Sequence, residues 1–217
     1  MKQYTTVLFD LDGTLVDSGI GATNSVAYAL KKLGITPPPR NELFKFIGPP
    51  LMQSFSQFCG FGEEKTREAI VYYREYYNEH GINECTIYDG VLELLDSLKK
   101  KGYKLALATS KPEIYAVRVV NDKGIYPFLD YLASASTDEK TRATKEAVIE
   151  YALELCDEKD RSKILMVGDR HFDINGARAY GLDSVGVTFG YGSYEELKEA
   201  GATYIADDVG EINDLLK

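Results

Sequence analysis

Short apolar runs alternate with helical patterns along most of this chain. The first run, TTVLF at residues 5–9, ends in the acidic loop DLDGT. Alternation of this kind predicts a Rossmann-like α/β fold, in which helices cover both faces of a parallel sheet. Right-handed crossovers then place the carboxyl ends of the strands at one edge of the sheet, where ligands bind. Further strands are predicted at residues 104–109, 130–135, 163–168, 184–188 and 203–206.

One segment interrupts the alternation, because residues 18–80 contain helical patterns only. We therefore predict an α/β core formed by residues 1–17 and 81–217, with an inserted all-α cap domain at residues 18–80. We expect the cap to close over the core like a lid, with Gly19, Gly21 and Gly81 absorbing the backbone rotation. The predicted helices of this segment span residues 18–33, 40–46, 50–59 and 63–78.

Composition excludes several classes of protein. The chain has 217 residues, is 44% hydrophobic and carries a formal net charge of −9, which argues against a nucleic-acid partner. No apolar run approaches the roughly 20 residues of a membrane span, and the N-terminal sequence lacks a signal-peptide pattern. We therefore expect a cytoplasmic monomer or homodimer that binds no membrane. The three cysteines are too widely spaced for a zinc site and are expected to be free thiols.

Polar side chains follow several of the predicted strands. Because the strand ends meet at one edge of the sheet, three or four carboxylates would converge there and repel one another unless a cation lies among them. Carboxylates without clustered histidine or cysteine indicate a hard cation such as Mg²⁺. A lysine and a hydroxyl beside the metal would complete a phosphate pocket. The residues concerned are Asp10, Asp12, Thr109, Ser110, Lys145, Asp169 and Asp173.

The spacing of the first two carboxylates suits phosphate chemistry. Asp10 and Asp12 flank one residue, so both can point to the same side of a strand end. One carboxylate can attack phosphorus, and the other can protonate the leaving oxygen and later activate water. Asp173 has a second interpretation, as a favourable charge in the first turn of a helix. His171 is expected on a solvated turn, and the GYG sequence at residues 190–192 is interpreted as a turn only.

Four motifs in this order resemble the haloacid dehalogenase-like hydrolase superfamily. They are the strand with DxDGT in VLFDLDGTLVDS, the strand ending in threonine in LALATSKP, a lysine, and GDxxxD in VGDRHFD. The resemblance covers the whole chain. FIGPPL at residues 46–51 and the tail that begins TFGYGSYEELKEAG resemble phosphoglycolate phosphatase-like members, which have a small helical cap.

The resemblance implies roles for the four aspartates. Asp10 would be the nucleophile and a metal ligand. Asp12 would be the general acid and base, with its backbone carbonyl on the metal. Asp169 would be a metal ligand, and Asp173 would support the metal site.

The resemblance also implies a phosphate site. Thr109, together with the backbone of Ser110, would hold the transferring phosphoryl group. Lys145 would steady the nucleophile and the phosphate charge, and Lys140 is the alternative lysine. Gly48, in FIGPP, is a candidate substrate-binding residue because this loop is the part of the cap expected to face the substrate.

The expected activity is hydrolysis of small phosphate monoesters through an aspartyl-phosphate intermediate. 2-Phosphoglycolate is the leading substrate, and a nucleoside monophosphate, as for a 5'-nucleotidase, is the second. A dehalogenase is disfavoured, since such enzymes resemble this pattern without the second aspartate and Asp12 is present. A phosphomutase remains open. The alternatives that are not enzymes are a phospho-accepting receiver and a silent binding protein of the same fold.

Overall fold

A computed structural model describes residues 4–137 and 141–216 of the chain. The chain divides into two compact units. An α/β unit comprises Met1–Val16 and Ile87–Lys217, and a helical unit comprises Asp17–Thr86. That the inserted segment works as a cap stays a prediction, and Lys140 lies outside the described residues.

The strands of the α/β unit form one six-stranded sheet. The described strands are β1 (Thr6–Phe9), β2 (Val16–Asp17), β3 (Thr86–Ile87), β4 (Lys104–Pro112), β5 (Tyr131–Ala135), β6 (Ile164–Gly168), β7 (Asp183–Val187) and β8 (Tyr204–Ala206). The sheet order is β5-β4-β1-β6-β7-β8, and neighbouring strands are parallel. β2 and β3 lie where the chain passes between the units and form a separate two-stranded sheet. The predicted α/β fold with a parallel sheet is therefore confirmed.

Helices connect the strands of the sheet and fill the inserted segment. In the part of the chain that the structure describes, no helix is long and apolar enough to cross a membrane. The α-helices are α1 (Gly19–Lys32), α2 (Arg40–Leu43), α3 (Leu51–Cys59), α4 (Glu63–Tyr76), α5 (Val91–Lys100), α6 (Glu113–Asp122), α7 (Lys145–Leu155), α8 (His171–Ala179), α9 (Tyr194–Ala200) and α10 (Val209–Leu215).

One face of the sheet packs against α7 and α8. Leu8 of β1, Ala106 of β4 and Met166 of β6 are fully buried there, together with Val148 and Ile149 of α7. Successive side chains of a strand point to opposite faces, so every second residue of β1 points toward these helices. This alternation fixes the direction of the polar residues that follow β1.

Strand β4 continues three residues beyond its predicted end at residue 109. Its pairing with β5 is regular as far as Thr109, which lies opposite Ser134, and then shifts so that Pro112 lies opposite Ala135. The sequence pattern predicts an end at the first polar residues. The pairing with β5 resumes after the irregularity, and this resumption extends the strand.

The helical unit has an aromatic core of its own. Phe46 packs edge-on against Phe55 and Phe58, with ring centroids 5.2 Å apart in each pair. Phe55 is fully buried and stacks on Phe61 at 6.3 Å. Such pairs add stability beyond the burial of their surface, so this unit is held together by apolar contacts.

Two of the three glycines that we expect to serve as hinges are packed inside the helical unit. Gly21 lies within α1, and a Cβ atom placed on it would lie 2.0 Å from the carbonyl oxygen of Gly81. Gly81 ends a short π-helical turn, Tyr77–Gly81, that continues α4. The two glycines allow two backbone segments to touch, which accounts for the residue type at both positions. That they absorb rotation stays a prediction.

Candidate active site

Asp10 follows β1 directly and is 6% exposed. Because side chains alternate along a strand, Asp10 continues the face that Leu8 presents to α7 and α8. Its backbone N–H donates to the carbonyl of Val167 at 2.9 Å, which extends the pairing of β1 with β6 by one residue. The first carboxylate of the DxD pair is thus fixed on the side of the sheet where two helices begin.

Lys145 is the first residue of α7 and lies buried between two carboxylates. Its Nζ lies 2.8 Å from Asp10 Oδ1 and 2.8 Å from Asp173 Oδ1, and it donates to the carbonyl of Ala108 at 2.9 Å. The hydroxyl of Thr144 caps α7 by accepting from the N–H of Ala147. The helix cap therefore positions the lysine in the carboxylate cluster.

Asp173 lies in the first turn of α8, where the second interpretation from the sequence placed it. Its Oδ2 accepts from the N–H of Arg170 at 3.0 Å, so it caps the helix. Its Oδ1 faces Lys145. Asp173 therefore has both roles that the sequence suggested, as a helix-terminal charge and as a member of the carboxylate cluster.

Three buried aspartates form a candidate metal centre. Asp10, Asp169 and Asp173 each offer a carboxylate oxygen, and these oxygens lie within 4.8 Å of one another. Among the described residues, Asp169 Oδ1 is buried without a hydrogen-bond partner, and the Oδ1 atoms of Asp10 and Asp173 share the single ammonium of Lys145, at 2.8 Å each. Buried oxygens without partners are costly and indicate a missing positive ligand.

The pKa shifts in the cluster also indicate a missing positive charge. Burial raises the pKa of Asp10 to about 6; the Lys145 ammonium opposes this shift, and the Asp173 carboxylate adds to it. Burial, and then the charges of Asp173 and Asp10, also raise the pKa of Asp169. Burial lowers the pKa of Lys145, but the charges of its two carboxylate neighbours raise the pKa by more than burial lowers it. The pKa of Lys145 therefore lies above its ordinary value. One ammonium therefore leaves the three carboxylates under-neutralised, and an added cation would favour their ionised forms.

A backbone loop supports Asp169 from the other side. The N–H of Tyr191 donates to Asp169 Oδ2 at 2.8 Å. A Cβ atom on Gly13 would lie 2.1 Å from this oxygen, one on Gly190 would lie 2.4 Å from Asp169 Cβ, and one on Gly192 would lie 2.0 Å from the Asp169 carbonyl. The GYG sequence is a turn, as expected, but the sequence analysis missed that it holds a candidate metal ligand.

Asp12 lies outside the cluster of three carboxylates. Lys111 Nζ lies 2.8 Å from its Oδ1 and 2.6 Å from its Oδ2. Lys111 is not among the predicted site residues, although it directly follows Thr109 and Ser110 in LALATSKP, and this position is a signal in the sequence. Thr109 is buried, and its hydroxyl oxygen accepts from the N–H of Lys111 at 3.2 Å, whereas Ser110 is half-buried.

His171 differs from the expectation of a histidine on a solvated turn. It is the first residue of α8, and both its N–H and its Nδ1 contact Glu196 Oε1, at 2.9 and 2.7 Å. Arg170 Nε donates to the same oxygen at 2.9 Å. Partial burial raises the pKa of Glu196, but these hydrogen bonds hold it below its ordinary value. Glu196 of α9 thus fixes the segment between Asp169 and Asp173.

Gly48, the candidate substrate-binding residue, lies in the helical unit. It has φ of 105° and follows the 3-10 turn Phe44–Phe46. A backbone with this φ strongly favours glycine, which accounts for the residue type without a ligand. The contribution of Gly48 to substrate binding stays a prediction.

The chemistry of the donor set favours a divalent cation. The four aspartates Asp10, Asp12, Asp169 and Asp173 carry four negative charges when ionised, and two lysines beside them carry two positive charges. A divalent cation would balance the difference. Carboxylate oxygens are the preferred ligands of hard cations, so the residues fit a divalent metal.

Comparisons with known proteins identify the family of this chain. The haloacid dehalogenase-like hydrolase family matches residues 7–187, so the chain belongs to this family. A 5'-nucleotidase of Pseudomonas aeruginosa is 37% identical over 215 residues, which cover 99% of this chain and 96% of that protein. The tyrosine-protein kinase PtkA of Mycobacterium tuberculosis is 37% identical over 213 residues, which cover 97% of this chain and 72% of the relative.

Solved structures extend the comparison. The crystal structure of a predicted phosphatase from Clostridium acetobutylicum has a TM-score of 0.94 and 44% identity, with 99% of this chain and 98% of that chain covered. A predicted phosphoglycolate phosphatase from Haemophilus somnus has a TM-score of 0.87 and 27% identity, with 100% of both chains covered. The predicted resemblance is therefore confirmed, and the chain is a phosphoric monoester hydrolase.

Proposed function

We propose that this protein is a Mg²⁺-dependent phosphatase that hydrolyses small phosphate monoesters through a phosphorylated Asp10. The observation that carries the proposal is the buried cluster of Asp10, Asp169 and Asp173 around the ammonium of Lys145. Such a cluster offers a nucleophilic carboxylate, a cation site and a fixed positive charge within a few ångströms. No apolar core requires this combination, since buried charges are costly unless they are paired.

In the first half of the proposed reaction, an Asp10 oxygen attacks phosphorus, and the bond from phosphorus to the leaving oxygen breaks. Asp12 protonates that oxygen. The Thr109 hydroxyl and the Ser110 backbone N–H donate to the phosphoryl oxygens. Lys145 holds Asp10 in place and offsets the charge of the phosphate.

In the second half, water attacks phosphorus, the bond between phosphorus and Asp10 breaks, and Asp12 takes the proton of the water. Asp10, Asp169, Asp173 and the Asp12 backbone carbonyl would hold the Mg²⁺. The bound Mg²⁺ would offset the repulsion between the carboxylate nucleophile and the phosphate dianion.

The substrate proposal has two candidates. Nucleoside 5'-monophosphates come first, because the Pseudomonas relative named a 5'-nucleotidase is 37% identical along nearly all of both chains. 2-Phosphoglycolate, the leading expectation from the sequence, comes second, because the neighbour described as a predicted phosphoglycolate phosphatase is 27% identical. A cap formed by residues 18–80 would favour small leaving groups over phosphopeptides.

The test has two parts. Treatment with EDTA should abolish phosphate release, and Mg²⁺ should restore it far better than Ca²⁺, which prefers more ligands. Calorimetric titration should show one Mg²⁺ site that Asp169→Asn removes. Full activity in a metal-free sample would contradict the metal proposal.

Substrate preference is measured as kcat/KM for a nucleoside 5'-monophosphate, 2-phosphoglycolate, a sugar phosphate and a phosphotyrosine peptide. A preference for the phosphopeptide would contradict the proposed substrate class. Conversion of the sugar phosphate into its isomer, rather than into sugar and phosphate, would indicate a phosphomutase. A silent site would release no phosphate from any ester.

A further inference from the structure

The Asp12 carboxylate is held by a lysine through both of its oxygens. Lys111 Nζ contacts Asp12 Oδ1 and Oδ2 at 2.8 and 2.6 Å, and the two side chains are 8% and 18% exposed. A carboxylate on a short side chain can rotate about two bonds. A single ammonium that engages both oxygens restricts that rotation, so this pair determines where the Asp12 oxygens lie.

The irregularity in β4 brings Lys111 to this position. Between the paired positions Thr109 and Pro112 lie two residues, Ser110 and Lys111, where the register with β5 shifts. Irregularities of this type redirect side chains and are frequent beside active sites. The N–H of Lys111 donates to the hydroxyl oxygen of Thr109, so the same bend fixes the candidate phosphate-binding threonine.

Fold stability alone accounts poorly for this ion pair. A buried or nearly buried pair is seldom more stabilising than two apolar side chains of similar size. The pair between Lys99 and Asp130, in the same unit, offers a contrast, since Asp130 also accepts from the N–H of Leu105 at the start of β4 and thereby holds the sheet. The Lys111 pair instead lies at the carboxyl edge, beside Thr109.

We propose that Lys111 is a positioning residue for Asp12 in the hydrolysis of the phosphorylated Asp10. This inference rests on the proposed function. In that step the bond from water oxygen to phosphorus forms, the bond from phosphorus to Asp10 breaks, and the water proton passes to an Asp12 oxygen. Lys111 holds that oxygen in the orientation that accepts the proton. Misplacement of a catalytic group by about 1 Å can cost on the order of a hundredfold in rate.

The experiment compares Lys111→Met with the unaltered enzyme in rapid mixing with p-nitrophenyl phosphate and Mg²⁺. Its activated leaving group needs little help from an acid, so the release of nitrophenol reports the attack by Asp10. We expect kcat to fall about tenfold to a hundredfold. Only the hydrolysis of phosphorylated Asp10 should slow in this variant. KM should therefore fall in parallel with kcat, so that kcat/KM stays within about twofold of the unaltered enzyme. Acid quenching should trap more phosphoenzyme.

Variants around this one exclude simpler explanations. Lys111→Arg should recover most of the loss, because a guanidinium can also engage both carboxylate oxygens. Lys99→Met, which removes a part-buried ion pair elsewhere in the unit, should lower stability without changing the ratio of the two steps. The double variant Asp12→Asn, Lys111→Met should hydrolyse its phosphoenzyme no more slowly than Asp12→Asn alone.

Three results would overturn the inference. A fall in kcat/KM with a raised KM would make Lys111 a direct substrate ligand. A fall in kcat with an unchanged KM and no extra phosphoenzyme would indicate only that a smaller fraction of the variant is folded. Thermal unfolding and the milder variant Lys111→Gln would check this. Losses that multiply in the double variant would mean that Lys111 acts independently of Asp12. Absence of phosphoenzyme in the unaltered protein would instead contradict the proposed function itself.

Discussion

The two units of this protein bury different kinds of polar group. In the described part of the α/β unit, the buried polar side chains include three carboxylates and an ammonium, those of Asp10, Asp169, Asp173 and Lys145. In the described part of the helical unit they are hydroxyls only, and these are found on Ser18, Thr23, Ser25, Ser54 and Thr66. A hydroxyl can be satisfied by a nearby backbone carbonyl, whereas a buried charge needs partners of opposite sign.

This difference in buried polar groups indicates that the helical unit mainly contributes stability and that the α/β unit carries the chemistry. The helical unit follows the usual rule that apolar contacts stabilise and that buried polar groups are neutral. The α/β unit places like charges together at the carboxyl edge of its sheet, at a cost that its own lysines offset only in part. Substitutions should therefore have opposite effects in the two units, so that the charged cluster loses function and the aromatic core loses stability.

The sharpest contrast is expected from Asp10→Asn. The variant removes the nucleophile and one buried charge while it keeps the shape of the side chain. Turnover should fall by about 10⁴-fold or more, and the midpoint of thermal unfolding should stay the same or rise, because one repulsive charge is gone. Asp96→Asn, on the surface of α5, is the matched control and should keep full activity. Substantial turnover in a sample that mass spectrometry shows free of deamidation would exclude Asp10 as nucleophile.

The reverse pattern is expected from Phe55→Ala in the helical unit. Phe55 is fully buried among Phe46 and Phe61, so its removal leaves a cavity. The free energy of unfolding should fall by about 3–5 kcal/mol. Urea denaturation followed by circular dichroism measures this loss, and calorimetry well below the midpoint should still detect Mg²⁺ binding to the α/β unit. A variant with unchanged stability that binds no Mg²⁺ would contradict the view that the aromatic core affects stability and not the site.

Gly190→Ala tests whether the contrast extends to backbone contacts. A methyl group at this position would lie 2.3 Å from the Gly13 carbonyl and 2.4 Å from Asp169 Cβ, so Asp169 must shift. Groups that orient a metal ligand typically contribute tenfold to a hundredfold in affinity, and we expect a loss of Mg²⁺ affinity on that scale. Gly62→Ala in the helical unit, with open space around it, is the control and should leave Mg²⁺ affinity unchanged. Equal affinities in both variants would contradict a role for the loop.

The smallest expected effect concerns Asp130, which stabilises the α/β unit away from the cluster. Partial burial raises its pKa, but hydrogen bonds from Lys99, the Leu105 N–H and Lys104 outweigh this and lower it. Its stabilisation is therefore complete above its unfolded pKa of about 3.9 and is lost as pH falls through the lower folded value. Asp130→Asn should cost about 1 kcal/mol near pH 6, with the difference shrinking toward pH 2. A constant difference across this range would show that the charge is irrelevant.

The sequence was sufficient to predict the parts of the structure that depend on local periodicity. Alternating apolar runs gave the parallel sheet, and the helix-only segment gave the helices of the inserted unit. The carboxylates at strand ends could be predicted to converge, because parallel connections bring those ends to one edge. The prediction that Asp10, Asp169 and Asp173 lie together rests on this rule, and the geometry agrees with it.

The contacts that the sequence analysis missed depend on distance in three dimensions. Lys111 reaches Asp12 at a register shift in the pairing of β4 with β5, and this shift depends on a strand elsewhere in the chain. The N–H of Tyr191 reaches Asp169 across 22 positions of the chain, and a backbone donor has no signature in the sequence. Gly21 and Gly81 could be interpreted as flexible because glycine permits both rotation and close approach, and only the packing distinguishes the two.

The hydrogen bond between the Tyr191 amide and Asp169 Oδ2 turns this amide into a spectroscopic probe of the site. An amide proton bonded to a carboxylate is sensitive to the charge that the carboxylate carries. In a nitrogen-15 correlation spectrum, the Tyr191 resonance should move as cation is titrated in. Half of the shift should be reached when the free cation concentration equals the dissociation constant. The signal requires no turnover, so it can report cation occupancy in the Asp10→Asn variant, which is expected to be too inactive for kinetic assays.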